Sequence, residues 1–282
     1  MENKILNLYR KFKNGLIGRR EFIKRLSILI GAFTLFPLSG ENNVRGEITS
    51  KDDPRLQTEF IKYPGETGDI RAYFAKPKGD EKLPGVVIIH ENRGLNLHFE
   101  DVTRRVALER FLAITPDALS PFGGTPGDPD KARELIGKLD TPLTIKNYVA
   151  AVKYLKTHPS CTGKVGVIGF CWGGAMANQV AVHSQDVLAV VPFYGRQPHS
   201  EDVPKIKASL LLHYAEMDEM INKGIAEYEA SLKKASVEYQ IYIYKGTKHA
   251  FLNDTNPERY HKEAAELAWK RTINFLNEKL RK

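Results

Sequence analysis

Cysteine is nearly absent from this 282-residue chain, which holds only Cys161 and Cys171. Two cysteines cannot build the dense cross-links of a small secreted scaffold. They are also too far apart, with no histidine at ligand spacing, for a zinc site. Long apolar runs are missing too. The best candidate, residues 26–38, covers 13 positions, whereas a spanning helix needs about 20, so a polytopic membrane protein is excluded. Charge of one sign is also scarce in the body of the chain. The formal net charge is +8, but residues 1–25 carry eight cationic and two acidic side chains and so hold most of it. A phosphate-binding surface on the folded body is therefore not indicated, and nucleic acid is not an expected partner. What remains is 42% hydrophobic and 27% charged, the balance of an ordinary globular protein. The length allows one large domain or two small ones.

The basic stretch followed by a short apolar run has the layout of an export signal. Gly18-Arg19-Arg20-Glu21-Phe22-Ile23-Lys24 resembles the twin-arginine motif of a pathway that carries folded proteins. Residues 1–40 are thus expected to be a twin-arginine-like signal or an N-terminal anchor. The expected location is periplasmic, with export machinery as a partner; a cytoplasmic location follows if the segment is not a signal. Residues 41–58 are polar without periodicity and read as a linker.

Residues 59–282 read as one α/β domain. Strand-like and helix-like segments alternate. Residues 69–75 alternate apolar and polar, and residues 85–90 form a continuous apolar run, as in a strand buried on both faces. Further strands are expected at 111–115, 164–169, 187–194, 208–214 and 240–244. Helices are expected at 100–111, 129–137, 144–157, 174–183, 223–235 and 257–280. This order implies a mainly parallel, doubly wound sheet covered on both faces. Ligands on such sheets sit at the carboxyl ends of the strands. Four places follow apolar runs there: His90–Gly94, Gly169–Gly174, Glu216–Glu219 and Gly246–Phe251.

The strongest signal is Gly169-Phe170-Cys171-Trp172-Gly173-Gly174, between a strand and a helix. A nucleophile elbow needs that context, with small residues two positions either side of the nucleophile. The helix N-terminus favours a thiolate. Cys161 has no such glycines and reads as structural. A cysteine nucleophile needs a base and a group to orient it. The chain order on this architecture is nucleophile, acid, histidine, which Cys171, Asp218 and His249 satisfy. Glu216 and Glu219 compete for the acid's place. Of His90, His98, His183, His199 and His213, none follows the final strand. The oxyanion hole is expected to use the backbone N–H of Trp172 and that of Asn92.

These motifs, together with His90-Glu91-Asn92-Arg93-Gly94, Pro192-Phe193-Tyr194-Gly195 and His249-Ala250-Phe251, resemble the dienelactone hydrolase family of α/β-hydrolases over roughly residues 59–280. The resemblance implies a Cys171–His249–Asp218 triad and a role for Glu91 in contacting the resting thiol and helping its deprotonation. It also exposes a departure. The family grips the substrate carboxylate with two arginines, one four residues after the catalytic histidine. That position is Asn253 here, and residues 118–127, where the other is expected, contain no arginine. Arg93 or Arg196 is the expected replacement source of charge, and dienelactone itself is a doubtful substrate.

The interval between the strands at 187–194 and 208–214 leaves no room for a lid domain. A shallow site is expected, lined by Phe122, Trp172, Tyr194 and Phe251 and covered only by loops. Gly123-Gly124-Thr125-Pro126-Gly127 lacks the ending of a P-loop and reads as a flexible loop at the site's edge. The expected function is hydrolysis of a small carboxylic ester or lactone through a thioester, with no cofactor and no metal. The alternative is a non-catalytic ligand-binding or thiol-sensing protein on the same scaffold.

Overall fold

Extended segments rich in Val, Ile and Leu set the layout. The computed structural model describes Lys11 and residues 48–281. The expected signal or anchor, residues 1–40, therefore lies outside the described residues, Lys11 apart. Among the described residues, strands β1 (Leu56–Gly65), β2 (Gly68–Pro77), β3 (Leu83–Ile89) and β4 (Leu112–Pro116) come first. Strands β5 (Cys161–Phe170), β6 (Val187–Phe193), β7 (Ser209–Ala215) and β8 (Tyr239–Tyr244) follow. They form one sheet in the order β1-β2-β4-β3-β5-β6-β7-β8. β2 runs antiparallel to β1 and β4, and every pairing from β4 through β8 is parallel.

Helices α1 (Leu97–Leu108), α2 (Pro129–Ile136), α3 (Thr141–Thr157), α4 (Trp172–His183), α5 (Glu219–Asn222), α6 (Ile225–Lys234) and α7 (Lys262–Leu280) connect or follow the strands. The period-2 rule divides the core. Val87 and Ile89 of β3, with Val165 and Val167 of β5, face a cluster that includes Tyr148 of α3, Ala177 of α4 and Leu232 of α6. Val86, Ile88, Ile168 and Phe170 point the other way, toward Val102 and Val106 of α1 and Leu276 of α7. The sheet is thus covered on both faces, which is why β3 is buried along its whole length. Residues 194–208, between β6 and β7, hold only a short 3-10 turn at Val203–Lys205, and no lid interrupts the fold.

Several boundaries differ from the sequence reading: α1 and α3 each begin three residues earlier than expected, and β5 begins at Cys161 rather than at residue 164. β1 begins at Leu56, inside the stretch expected to be a linker. It is an edge strand that buries only Leu56 and Tyr63, so it shows little alternation. Further upstream, the amides of Ile48 and Thr49 donate to Asp101 at 3.2 and 2.7 Å, and Arg104 Nε donates to the Thr49 carbonyl at 2.8 Å. The expected helix at 223–235 is α6, and a separate short helix, α5, precedes it after β7. The terminal helix starts at Lys262 rather than at residue 257. The segment before it turns tightly, with the Asn256 amide bonded to the Asn253 carbonyl and the Tyr260 amide to the Asn256 carbonyl.

The chain switches direction across the sheet at β3 and β5. β3 leads to β4 on one side, and the chain then returns across to β5 on the other. The carboxyl ends of these two strands form the crevice where such sheets bind ligands. The close approach there demands glycine. A Cβ at Gly173 would fall inside contact distance of the Ile89 and His90 carbonyls, and one at Gly169 would strike the Gly173 backbone. Gly173→Ala is therefore expected to lower stability by about 1–3 kcal/mol, the usual cost of overpacking against backbone that cannot yield. Urea unfolding of the two proteins measures this, and an unchanged midpoint would refute the constraint.

Candidate active site

Cys171 sits between β5 and α4 with φ 55 and ψ −115. An L-residue adopts that conformation only under strain, which surrounding structure must hold in place. Here the Cys171 amide donates to the Phe193 carbonyl at the end of β6 (3.0 Å), and the Ala175 amide returns to the Cys171 carbonyl (3.1 Å). Tyr194 and Ala250 also have positive φ, so strained backbone gathers around one spot. Trp172 is the first residue of α4, so its amide points out of the helix end without an intrahelical partner.

Asp218 follows β7, and His249 lies in the loop after β8. The Asp218 carboxylate lies 2.5 Å from His249 Nδ1, and the same imidazole is hydrogen-bonded to Cys171. With Nδ1 committed to Asp218, Nε2 is the nitrogen left for sulfur. Burial works against a proton on His249. The hydrogen bonds to Asp218 and Cys171 and their negative charges outweigh it, and the imidazole is pushed up to about 10. The competing acids have other positions. Glu216 accepts the Gly246 amide at 2.7 Å and so holds the turn after β8, while Glu219 opens α5 at the surface.

Glu91 and Asn92 extend from the end of β3 into the same cleft as Cys171 and His249. Glu91 Oε2 accepts from the Asn253 amide at 3.0 Å, and Oε1 lies 3.5 Å from the Tyr194 hydroxyl. This carboxylate is thus held between Asn253 and Tyr194. Burial first, then the charges of Glu91 and Cys171, push the Tyr194 phenol well up, so it is a donor. His90 beneath them is fully buried. Its Nδ1 donates to the Glu91 carbonyl (2.7 Å) and its Nε2 accepts the Ala118 amide (3.2 Å). Burial lowers its affinity for a proton, which keeps it neutral and able to do both.

Other expected site residues lie elsewhere. Tyr194 and Phe251 are buried beneath His249 rather than lining the cleft; the Tyr194 ring is 5.0 Å from that of His249 and 5.7 Å from Phe251. Trp172 stacks on His90 at 5.7 Å, because it faces the core below the helix start. Phe122 lies exposed on a 3-10 turn (Ser120–Phe122). Arg196 is exposed and also outside the cleft; its carbonyl accepts from Asn178. Arg93 and Asn253 do line it. The cleft has a volume of about 550 Å³, and Arg133, Asn256, Glu258 and Arg259 are among the other residues that line it. Sequence reading missed these residues because none directly follows a strand, and Glu258 and Arg259 lie where a helix was expected.

Two polar clusters fix the loops around the cleft. Buried Asp117 accepts from the Thr125 amide (2.8 Å) and hydroxyl (2.7 Å), and that hydroxyl accepts from the Leu95 amide. The glycine-rich loop is therefore tied at Thr125 rather than free. Asp254 pairs with Arg105 at 2.6 Å and lies 3.2 Å from His98, which fastens the His249 loop to α1. Burial would raise the Asp254 carboxyl, but the His98 bond and the Arg105 charge hold it below its ordinary value. Among the described residues no group of three or more His, Cys, Asp and Glu side chains could hold a metal ion.

The raised His249 gives a pH dependence of definite sign. Its affinity for a proton is greater folded than unfolded, so its stabilisation is complete below about pH 6.5, the ordinary histidine value. The stabilisation is lost as pH rises toward about 10. The difference in unfolding free energy between wild type and His249→Gln is expected to shrink steadily across that interval. A difference that stays flat or grows would refute the arrangement.

Residues 70–280 match the model of the dienelactone hydrolase family. A Saccharolobus solfataricus protein named "Putative carboxymethylenebutenolidase" is 30% identical over 254 residues, covering 77% of this chain and 96% of that one. A Bradyrhizobium protein named "Probable 2-oxo-3-(5-oxofuran-2-ylidene)propanoate lactonase" is 30% identical over 227 residues, covering 75% and 91%. The crystal structure of a "Putative Dienelactone Hydrolase" from Klebsiella pneumoniae subsp. pneumoniae superposes with a TM-score of 0.70 at 25% identity, covering 78% of this chain and 98% of that one. The match runs from β2 to the end of α7 and so takes in every strand that contributes to the cleft: this chain belongs to the dienelactone hydrolase family of α/β-hydrolases.

Proposed function

We propose that the protein hydrolyses a small carboxylic ester or lactone with Cys171 as nucleophile. The observation that carries this reading is the line of contacts from Asp218 through His249 to Cys171, with the cysteine at a strained strand-to-helix turn. The Cys171 thiolate attacks the carbonyl carbon. The amides of Trp172 and Asn92 hold the oxygen that becomes negative. As the intermediate collapses, the carbon–oxygen bond to the alcohol breaks, and the His249 imidazolium gives its proton to the departing oxygen. A thioester remains on Cys171. Neutral His249 then takes a proton from water, the hydroxide displaces the thiolate, and the acid leaves. One water is consumed per ester, and the enzyme returns to its starting charges. Asp218 holds the imidazole with Nε2 toward sulfur and stabilises its charged form. Glu91 is placed by Asn253 and Tyr194 beside the reacting groups.

Hydrolysis of p-nitrophenyl acetate by wild type, Cys171→Ala and His249→Ala tests this reading. Loss of activity on the order of 10⁴-fold in kcat is expected for either variant. An acetyl adduct should appear on Cys171 by mass spectrometry during turnover. Equal rates in wild type and Cys171→Ala would leave a ligand-binding or thiol-sensing protein instead.

The N-terminal segment is proposed to direct export through the twin-arginine route. Exchange of Arg19 and Arg20 for lysine is expected to leave the protein in the cytoplasm, and fractionation of cells expressing both forms checks this.

A further inference from the structure

The cleft that holds Cys171 and His249 is polar on nearly every side. Its apolar walls are Ala250 and Pro257. Small-molecule sites are usually lined mostly by apolar and aromatic side chains, and here the expected aromatics are buried below the floor or stand outside. A hydrocarbon acyl or alkoxy group would find almost nothing to bury against.

Some of the polar lining is already engaged. Asn96 caps α1 by accepting the Phe99 amide, and Asn253 serves Glu91 and Thr255. The rest faces the cleft unengaged. Asn92 and Asn256 each present a side-chain amide, Arg93, Arg133 and Arg259 each present a guanidinium, and Glu258 adds a single carboxylate against these three cations. Among the described residues none of these three guanidiniums has a carboxylate at ion-pair distance. They come from three separate parts of the fold: the loop after β3, helix α2, and the turn before α7. Cations brought together from distant segments at a cleft mouth raise the local concentration of anions there. A guanidinium only donates, in a fork that matches a carboxylate. A side-chain amide both donates and accepts, which suits hydroxyl groups.

We propose that the substrate is a polyhydroxylated lactone or ester that also carries a carboxylate, of the sugar-acid lactone class. Asn92 and Asn256 hold its hydroxyls, and Arg133 and Arg259, with Arg93, hold its carboxylate. The proposal rests on the hydrolase reading above and narrows it. The ring carbon–oxygen bond opens onto Cys171, the ring oxygen takes the His249 proton and becomes a further hydroxyl, and water releases the new carboxylate. The product is an open-chain hydroxy-dicarboxylate.

Four γ-lactones separate the two features: γ-butyrolactone, its 5-carboxylate, glucono-1,4-lactone and glucaro-1,4-lactone. With the full chain, kcat/KM is expected to be highest for glucaro-1,4-lactone and lowest for γ-butyrolactone. Each feature should contribute at least about tenfold, the worth of one good hydrogen bond to a charged or well-placed group. In Arg133→Ala and Arg259→Ala the preference for carboxylated over uncarboxylated lactones is expected to fall about tenfold, and added salt should erode it in wild type. In Asn256→Ala the preference for hydroxylated lactones falls instead. Both arginines are exposed, so these variants keep the fold. If γ-butyrolactone equals or exceeds glucaro-1,4-lactone, or the arginine variants leave the carboxylate preference intact, the proposal is overturned. Cys171-dependent turnover of p-nitrophenyl acetate without turnover of glucaro-1,4-lactone also overturns it while leaving the hydrolase reading standing. Loss of both would overturn the hydrolase reading itself.

Discussion

The backbone of Cys171 is the constraint on which the rest of the site depends. Its conformation, φ 55 and ψ −115, costs on the order of 1–3 kcal/mol for an L-residue. It persists because neighbouring segments leave no other path. The Cys171 amide is held by the Phe193 carbonyl of β6. Gly173 packs directly on the Ile89 and His90 carbonyls of β3. The turn from β5 into α4 is thus wedged between two adjoining strands. That wedge lifts the sulfur above the sheet and aims the first amides of α4 beside it. Because the neighbours are backbone atoms, the sulfur position is insensitive to side-chain motion, and attack geometry tolerates errors of only about 1 Å.

The other half of the site is carried by loops, and polar contacts rather than apolar packing hold them. Asp117 and Thr125 tie the glycine-rich loop to the stretch after β3. Asp254 and Arg105 tie the His249 loop to α1, and Arg105 is also paired with Asp101. Asp101 in turn receives the amides of Ile48 and Thr49. Buried ion pairs of this kind add little net stability, since desolvation offsets much of their attraction. Their consequence here is geometric. The imidazole and the Glu91–Asn92 stretch are referred to the same helix, so the distance across the cleft is set by one rigid element. His90 completes this by staying neutral and bridging the β3 loop to Ala118.

The sheet was legible because strands such as Leu83–Ile89 are apolar without a break, and the elbow was legible because its glycines are required by contact. Cys171, Asp218 and His249 could be placed by chain order, and the structure brings their side chains together. What could not be read was whatever depended on distant segments meeting. β1 is an edge strand with a half-polar pattern. Asp117, Asp254 and Arg105 are charged residues whose sequence neighbours say nothing of their burial. Arg133 sits on α2, far in sequence from any strand end. Aromatic residues beside the motifs read as cleft walls in the sequence, yet Tyr194 and Phe251 are drawn inward, because large apolar rings beside a strand end bury more surface below the site than within an open cleft.

Asn253 links the departure from the family pattern to the character of the cleft. An arginine at this position would neutralise Glu91. The asparagine amide gives Glu91 a hydrogen bond without cancelling a carboxylate's charge. A substrate carboxylate placed against Glu91 would then meet a like charge instead of a guanidinium. Anion recognition against Glu91 is disfavoured and falls instead to Arg93, Arg133 and Arg259, which line the same cleft.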